Sequence, residues 1–221
     1  MQRVDIFHLG PPKTATTWFY QCCKEHPDLA VPARDTVHYY DMFHAYGPAW
    51  YARQFPGAGL GQKKVDPTPS YIWSARAPRR IAADNPDARL IVGLRNPIDR
   101  AFSHYWHLKK KGLINFEFVH VTSSYDLYST WLEPGLLADG LERVFNLFPR
   151  KQVYLMDFDR LQREPLSVLQ ECFRFCGVSA DFVPSAAENR VNVAGARQTL
   201  LHRAVDKAWR TFSPAAGRGR I

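Results

Sequence analysis

The stretch Phe7-His8-Leu9-Gly10-Pro11-Pro12-Lys13-Thr14-Ala15-Thr16-Thr17-Trp18 decides the reading of this chain. It combines a short apolar strand over Val4–Leu9, a Gly-Pro-Pro turn, and Lys and Thr residues where a helix opens. A helix start has N–H groups without intrahelical partners and the positive end of the dipole, so it suits an anion. Lys13 adds a full charge, Thr14, Thr16 and Thr17 add hydroxyls, and Pro11 and Pro12 stiffen the turn. A phosphate or sulfate is the expected ligand; the same residues also suit a plain strand-turn-helix with a Thr cap and a solvated Lys. No Walker A loop is present, because that motif needs G-x-x-x-x-G-K-[ST] and no second Gly precedes Lys13.

The alternation continues outward from this stretch. Lys63–Asp66, Arg89–Leu94 and Gln152–Phe158 read as further strands, all short apolar runs of the kind buried on both faces. Helices are expected near Thr16–His26, Ala75–Asn85, Pro97–Lys110, Leu136–Phe148 and Pro165–Cys176, and an amphipathic one over Gln198–Phe212. Pro27–Pro32 and Pro67–Pro69 read as connections. This order predicts an α/β fold: a single domain over 1–212 with a central, mostly parallel sheet flanked by helices and a loose tail at 213–221. Ligands of such sheets sit at the carboxyl ends of the strands.

The 221 residues are enough for one core, and 46% hydrophobic content predicts a globular chain. No apolar run is long enough to span a membrane, and with strand-like sequence starting almost at once no signal peptide is expected within these residues. The net charge of +8 favours an anionic partner. The basic residues are scattered, with no RNP aromatics, zinc-finger spacing or basic heptads, so a nucleic-acid partner is not expected. Cys22, Cys23, Cys172 and Cys176 lack metal-site spacing and read as reduced thiols in a cytoplasmic protein.

A second anion-binding segment follows the strand Arg89–Leu94: Arg95-Asn96-Pro97-Ile98-Asp99-Arg100-Ala101-Phe102-Ser103-His104-Tyr105. Arg95 at a strand end and Ser103 two turns into the helix offer a guanidinium and a hydroxyl for a phosphate. A capped helix with Arg95 and Arg100 in surface ion pairs is the competing reading.

Together, the two segments resemble the cofactor signature of sulfotransferases that use 3′-phosphoadenosine 5′-phosphosulfate (PAPS). In that family G-x-x-K-x-G-T-[ST] holds the 5′-phosphosulfate, and R-[DN]-P-x-x-R-x-x-S-x-[YH] after a later strand holds the 3′-phosphate. The resemblance assigns Pro12, Lys13, Thr14, Ala15, Thr16, Thr17 and Trp18 to the first, and Arg95 and Ser103 to the second, with Asn96, Pro97, Arg100 and Tyr105 completing the match. Ala15 stands where the family has Gly, which predicts a loop that accepts a methyl group without a positive φ.

Thr36-Val37-His38-Tyr39-Tyr40-Asp41 is similar to the E-x-H-F-F-D segment of the glycan sulfotransferases related to heparan-modifying enzymes. Asp66-Pro67-Thr68-Pro69-Ser70-Tyr71 is similar to their E-K-[TS]-P-x-Y, and Asn189–Arg197 to a basic loop that closes over the nucleotide, implicating Arg197. The resemblance implies sulfuryl transfer to a hydroxyl of a small-molecule, glycoside or lipid acceptor, giving adenosine 3′,5′-bisphosphate (PAP), with no metal. Lys13 and the helix-start amides then stabilise charge on the bridging oxygen, each donor contributing on the order of 3 kcal/mol.

The family's base is the Glu of E-x-H-F-F-D, and here that position is Thr36. His38 and Asp35 are the two candidate bases; an imidazole with an ordinary pKa near 6.5 suits the task. Asp41 is expected to orient a neighbour, and Thr36 and Tyr71 to face the acceptor. Pro67 replaces a family Lys, a role open to Lys63 or Lys64. Tyr39, Tyr40, Trp50, Tyr51, Tyr71 and Trp73 either wall the acceptor or fill the core. Tyr125, Tyr128 and Trp131 fall in a segment suited to an acceptor lid. A P-loop small-molecule kinase and a non-catalytic nucleotide-binding protein are the alternatives.

Overall fold

The structure, a computed structural model, describes residues 3–188. Arg197, the rest of the expected basic loop, the Gln198–Phe212 helix and the tail therefore lie outside the described residues. Five strands form one sheet: β1 (Ile6–Gly10), β2 (Leu29–Ala30), β3 (Lys63–Asp66), β4 (Arg89–Leu94) and β5 (Val153–Asp157), in the order β2-β3-β1-β4-β5. Every neighbouring pair is parallel. Gly10, Asp66, Leu94 and Asp157 therefore end on one edge of the sheet. The chain moves from β3 across β1 to β4, and that reversal makes β1 the switch point where such sheets bind ligands.

Helices cover both faces, and the strand period of two decides which residues meet them. Phe7 and Leu9 of β1 and Leu90 and Val92 of β4 join one core with Ile81 of α3 (Ala77–Asp84) and Val144 of α6 (Ala138–Phe145). Ile6 and Ile91 face the other way. They pack with Phe19 and Cys22 of α1 (Thr16–Glu25) and Leu169, Cys172 and Phe173 of α8 (Pro165–Cys176). A third cluster joins α4 (Pro97–Lys110) to α5 (Tyr125–Trp131) through Phe102, Tyr105, Phe118 and Trp131. All four cysteines are free and buried.

Three helices and one strand were not expected. β2 lies in the Pro27–Pro32 connection; it pairs on one side only, Leu29 with Lys63, and two residues carry no readable period. α2 (Gly47–Ala52) opens on a Gly-Pro pair that reads as a turn, although Pro fits a first helical turn. α5 starts at Ser124, whose Oγ accepts from Leu127 N at 3.3 Å. α7 (Phe158–Arg163) follows β5 without a loop, because Asp157 ends the strand and caps the helix through Asp159 N and Arg160 N.

Candidate functional site

The loop between β1 and α1 is braced from both sides by contacts to neighbouring segments. Gly10 has φ +98°, and a β-carbon there would overlap the Pro69 carbonyl. Its N–H donates to Nδ1 of His8, a buried ring pushed down to about 3 by desolvation, so it accepts as a neutral imidazole. Lys13 and Ala15 both adopt left-handed backbone, at φ +76° and +69°. The expectation that Ala15 avoids positive φ is thus overturned: the loop keeps the glycine-like shape and Ala15 bears a strain of about 1 kcal/mol. Left-handed residues in a tight turn curl the chain into a concavity of N–H groups, an anion cradle. Among the described residues no side chain caps the start of α1, and its first turn holds no acid.

The hydroxyls of this loop do not act as one set. Thr14 is fully buried, and its Oγ1 donates to Pro11 O at 2.7 Å, so it braces the turn instead of facing a ligand. Gly93 of β4 makes room for it, since a β-carbon there would overlap the Thr14 side chain. Thr16 is buried, and exposed Thr17 donates to Asp35 Oδ2 at 3.2 Å. Pro12 and Lys13 are half-buried. Trp18 lies in the core under the helix with its Nε1 unpartnered among the described residues.

Cations gather beside this loop. Arg95 donates through Nη1 to Lys13 O at 2.7 Å, and its guanidinium stacks 4.1 Å from the Phe158 ring centroid. Asn96 caps α4 by accepting from Ile98 N and Asp99 N. Arg100 is only 1% exposed; one nitrogen, Nη2, bonds the Trp131 carbonyl. Its Nε and Nη1, with Arg95 Nε and His104 Nδ1, are buried without partners among the described residues.

Ser103 is buried one turn beyond Arg100. Burial, then Arg95, pulls Arg100 down to about 10; burial, then Arg100 and Lys13, holds His104 near 4. Lys13 is lowered by desolvation first and by Arg95, Lys111 and Lys110 after it. Such a crowd of cationic side chains, four of whose buried nitrogens lack partners among the described residues, fits anionic groups of a nucleotide.

The opposite bank is built on Asp66. This fully buried carboxylate accepts from Tyr51 OH at 2.6 Å, Tyr71 OH at 3.0 Å, Thr68 Oγ1 at 2.6 Å and Thr68 N at 3.0 Å. Thr68 Oγ1 in turn accepts from Val37 N at 2.9 Å and His38 N at 3.3 Å. The frame fixes His38 in left-handed backbone at the head of a π-helical turn, Tyr39–Phe43. His38 Nδ1 lies 3.2 Å from Asp41 Oδ2, and Ser70 Oγ lies 2.5 Å from the same oxygen. The bond to Asp41 raises the imidazole above its ordinary pKa, against the pull of burial. With Nδ1 facing the carboxylate, Nε2 is the nitrogen left to take a proton. Pro69 against Gly10, and Asp35 on Thr17, tie this bank to the loop.

Several sequence expectations are corrected here. Tyr71 is 0% exposed and serves Asp66, so it does not face an acceptor. Of the aromatics left open between acceptor wall and core, Tyr39, Tyr40 and Tyr51 fill the core, as Tyr71 does, whereas Trp50 is half-buried and Trp73 38% exposed. Lys63 caps the C-terminus of α8 through Cys176 O and Gly177 O, each at 2.9 Å; it and Lys64 start β3, at the far edge from Asp66. Trp131 anchors the third core, so that segment is packed scaffold at this residue. Thr36 and Asp35 are half-buried beside His38 in sequence, and Asp35 is engaged by Thr17.

Asp66, Thr68 and Ser70 were missed as functional residues. Their only sequence signal is the D-P-T-P-S-Y stretch that contains them.

The chain is similar to known proteins in sequence and in fold. Residues 3–199 match the family described as Sulfotransferase domain. Human heparan sulfate glucosamine 3-O-sulfotransferase 6 is 31% identical over 175 residues, covering 77% of this chain and 51% of that protein. Mouse bifunctional heparan sulfate N-deacetylase/N-sulfotransferase 1 is 31% identical over 191 residues, 78% of this chain and 22% of that protein. The chain thus spans about half, or less, of the length of these curated relatives. The crystal structure of a sulfotransferase from Alicyclobacillus acidocaldarius superposes with a TM-score of 0.75 at 25% identity, covering 95% of this chain and 94% of that one.

Proposed function

This chain belongs to the sulfotransferase domain family, and from that premise we propose that it moves a sulfuryl group from PAPS to a hydroxyl of a small acceptor. The observation that carries the reading is the set of buried nitrogens on Arg95, Arg100 and His104 that have no partner among the described residues, beside a start of α1 that none of their side chains caps. Those groups suit two anionic ends: the α1 amides and Lys13 for a phosphosulfate, Arg95 and Ser103 for a 3′-phosphate. When bound, PAPS supplies the activated sulfuryl group and the phosphate that leaves. Lys13 and the helix-start amides stabilise the charge that develops there. His38 Nε2 takes the acceptor proton, its ring held by Asp41, and Asp35 serves the loop through Thr17.

The acceptor side favours an aromatic or apolar small molecule, glycoside or lipid. Phe43, Tyr46 and Trp50 form a ring cluster with centroids 5.4–5.7 Å apart, one turn beyond His38, with Met42 67% and Tyr46 63% exposed. Residues 39–52 contain no Lys or Arg, although the chain carries +8. A sulfated polymer would call for cations there. The relatives are named for heparan sulfate, so a glycan is the second acceptor to screen. The free, buried state of all four cysteines supports a reducing, cytoplasmic setting.

Calorimetric titration with PAP, AMP and ATP-magnesium tests the reading. PAP binds most tightly, without metal, and Lys13→Ala and Arg95→Ala each weaken it about tenfold to a hundredfold. A preference for ATP-magnesium would move the assignment to a kinase. No nucleotide binding by folded protein would remove both.

A further inference from the structure

Asp41 Oδ2 is an acceptor shared by two donors. His38 Nδ1 lies 3.2 Å from it, Ser70 Oγ 2.5 Å from it, and Ser70 Oγ is also 3.2 Å from His38 Nδ1. The triangle is closed by the segment after β3, far along the chain from the turn that carries His38 and Asp41. A hydroxyl has one proton, and the short contact gives it to the carboxylate, leaving the Ser70 lone pairs toward the Nδ1–H. A carboxylate oxygen that already takes a strong O–H bond has less charge to offer an imidazolium. Ser70 therefore opposes Asp41 in setting how tightly His38 holds a proton.

We propose that Ser70 is a positioning residue for proton abstraction: it keeps His38 in the Nδ1–H tautomer with Nε2 outward, and it limits the basicity that Asp41 confers. The inference rests on the reading of His38 as the group that takes the acceptor proton. Among the described residues, the charged groups acting on His38 are Asp41, on its own turn, and Asp66, at the end of β3. Asp66 keeps its four hydrogen bonds when Ser70 changes, because none of them comes from Ser70.

The test is an NMR titration of the His38 ring in the nucleotide-free full chain, for the parent protein, Ser70→Ala, Ser70→Thr and Asp41→Asn. Ser70→Ala moves the midpoint up by about half a unit, and Asp41→Asn moves it down by about one. Ser70→Thr, which keeps the hydroxyl, restores the parent value. The acidic limb of kcat/KM follows each midpoint, so Ser70→Ala loses about threefold in rate on the acid side of the parent midpoint. A scaffold role for Ser70 would lower rate or stability without moving the midpoint. An unmoved or lowered midpoint in folded Ser70→Ala overturns the proposal. Midpoints that move while the rate limb stays put overturn His38 as the base, and Ser70's catalytic role with it. Midpoints that move in a protein that transfers no sulfuryl group uphold the coupling and defeat the transferase reading instead.

Discussion

Asp66 and Arg100 are about equally buried, yet their surroundings are opposite. Asp66 receives four hydrogen bonds from Tyr51, Tyr71 and Thr68, while Arg100 keeps two nitrogens without a partner among the described residues. Around Asp66 the polar groups answer one another, and the product is a fixed position for His38. Around Arg100 burial comes first and like charge second: both lower Arg100 and His104, while Arg95 is lowered by burial against the opposing pull of Asp99 and Asp159. Buried charge without a partner costs stability, so an arrangement of this kind is expected where a ligand completes it. One bank is a frame finished by folding; under the proposed function the other is finished by binding.

Substitutions separate the two banks. The largest effect falls on the frame: Asp66→Ala orphans two phenols and a threonine hydroxyl, and lowers unfolding free energy by about 4 kcal/mol in urea melts. A loss near 1 kcal/mol would show that the aromatic core, not the carboxylate, holds this bank. Arg100→Met acts in the opposite sense. Stability of the ligand-free protein rises by about 1 kcal/mol as a desolvated charge is removed, while PAP affinity falls about tenfold by calorimetry. A variant that loses both together would make Arg100 part of the frame. The smallest change is Ala15→Gly, which relieves the left-handed strain and stabilises by roughly 1 kcal/mol in the same melts. No gain would mean that lost chain entropy cancels the relief.

The sequence was most legible where burial is two-sided and ends are punctuated. β3, β4, α4 and α8 begin and end where the apolar runs and prolines indicate. β2 was invisible because an edge pair of two residues shares a proline-rich stretch, and α7 because Asp157 serves strand and cap at once. At the site, the residues of the loop and of the Arg95 segment were readable from type and order, but their orientation was not. Thr14 looked like a ligand donor and turns inward to Pro11 O. Tyr71 looked like an acceptor contact and is a prop for Asp66. Ala15 takes the left-handed shape of glycine, which its residue type does not announce. Ser70 had no signal of its own, since its meaning lies in a partner 29 residues earlier.

The contact between Gly10 and the Pro69 carbonyl has a consequence for how such a protein changes over generations. It joins the two banks main chain to main chain, with no side chain between them. Under the proposed function, drift in the residues that recognise an acceptor then leaves the reach between the β1–α1 loop and His38 untouched. New acceptors become accessible one substitution at a time, without recalibrating the distance over which the group must travel.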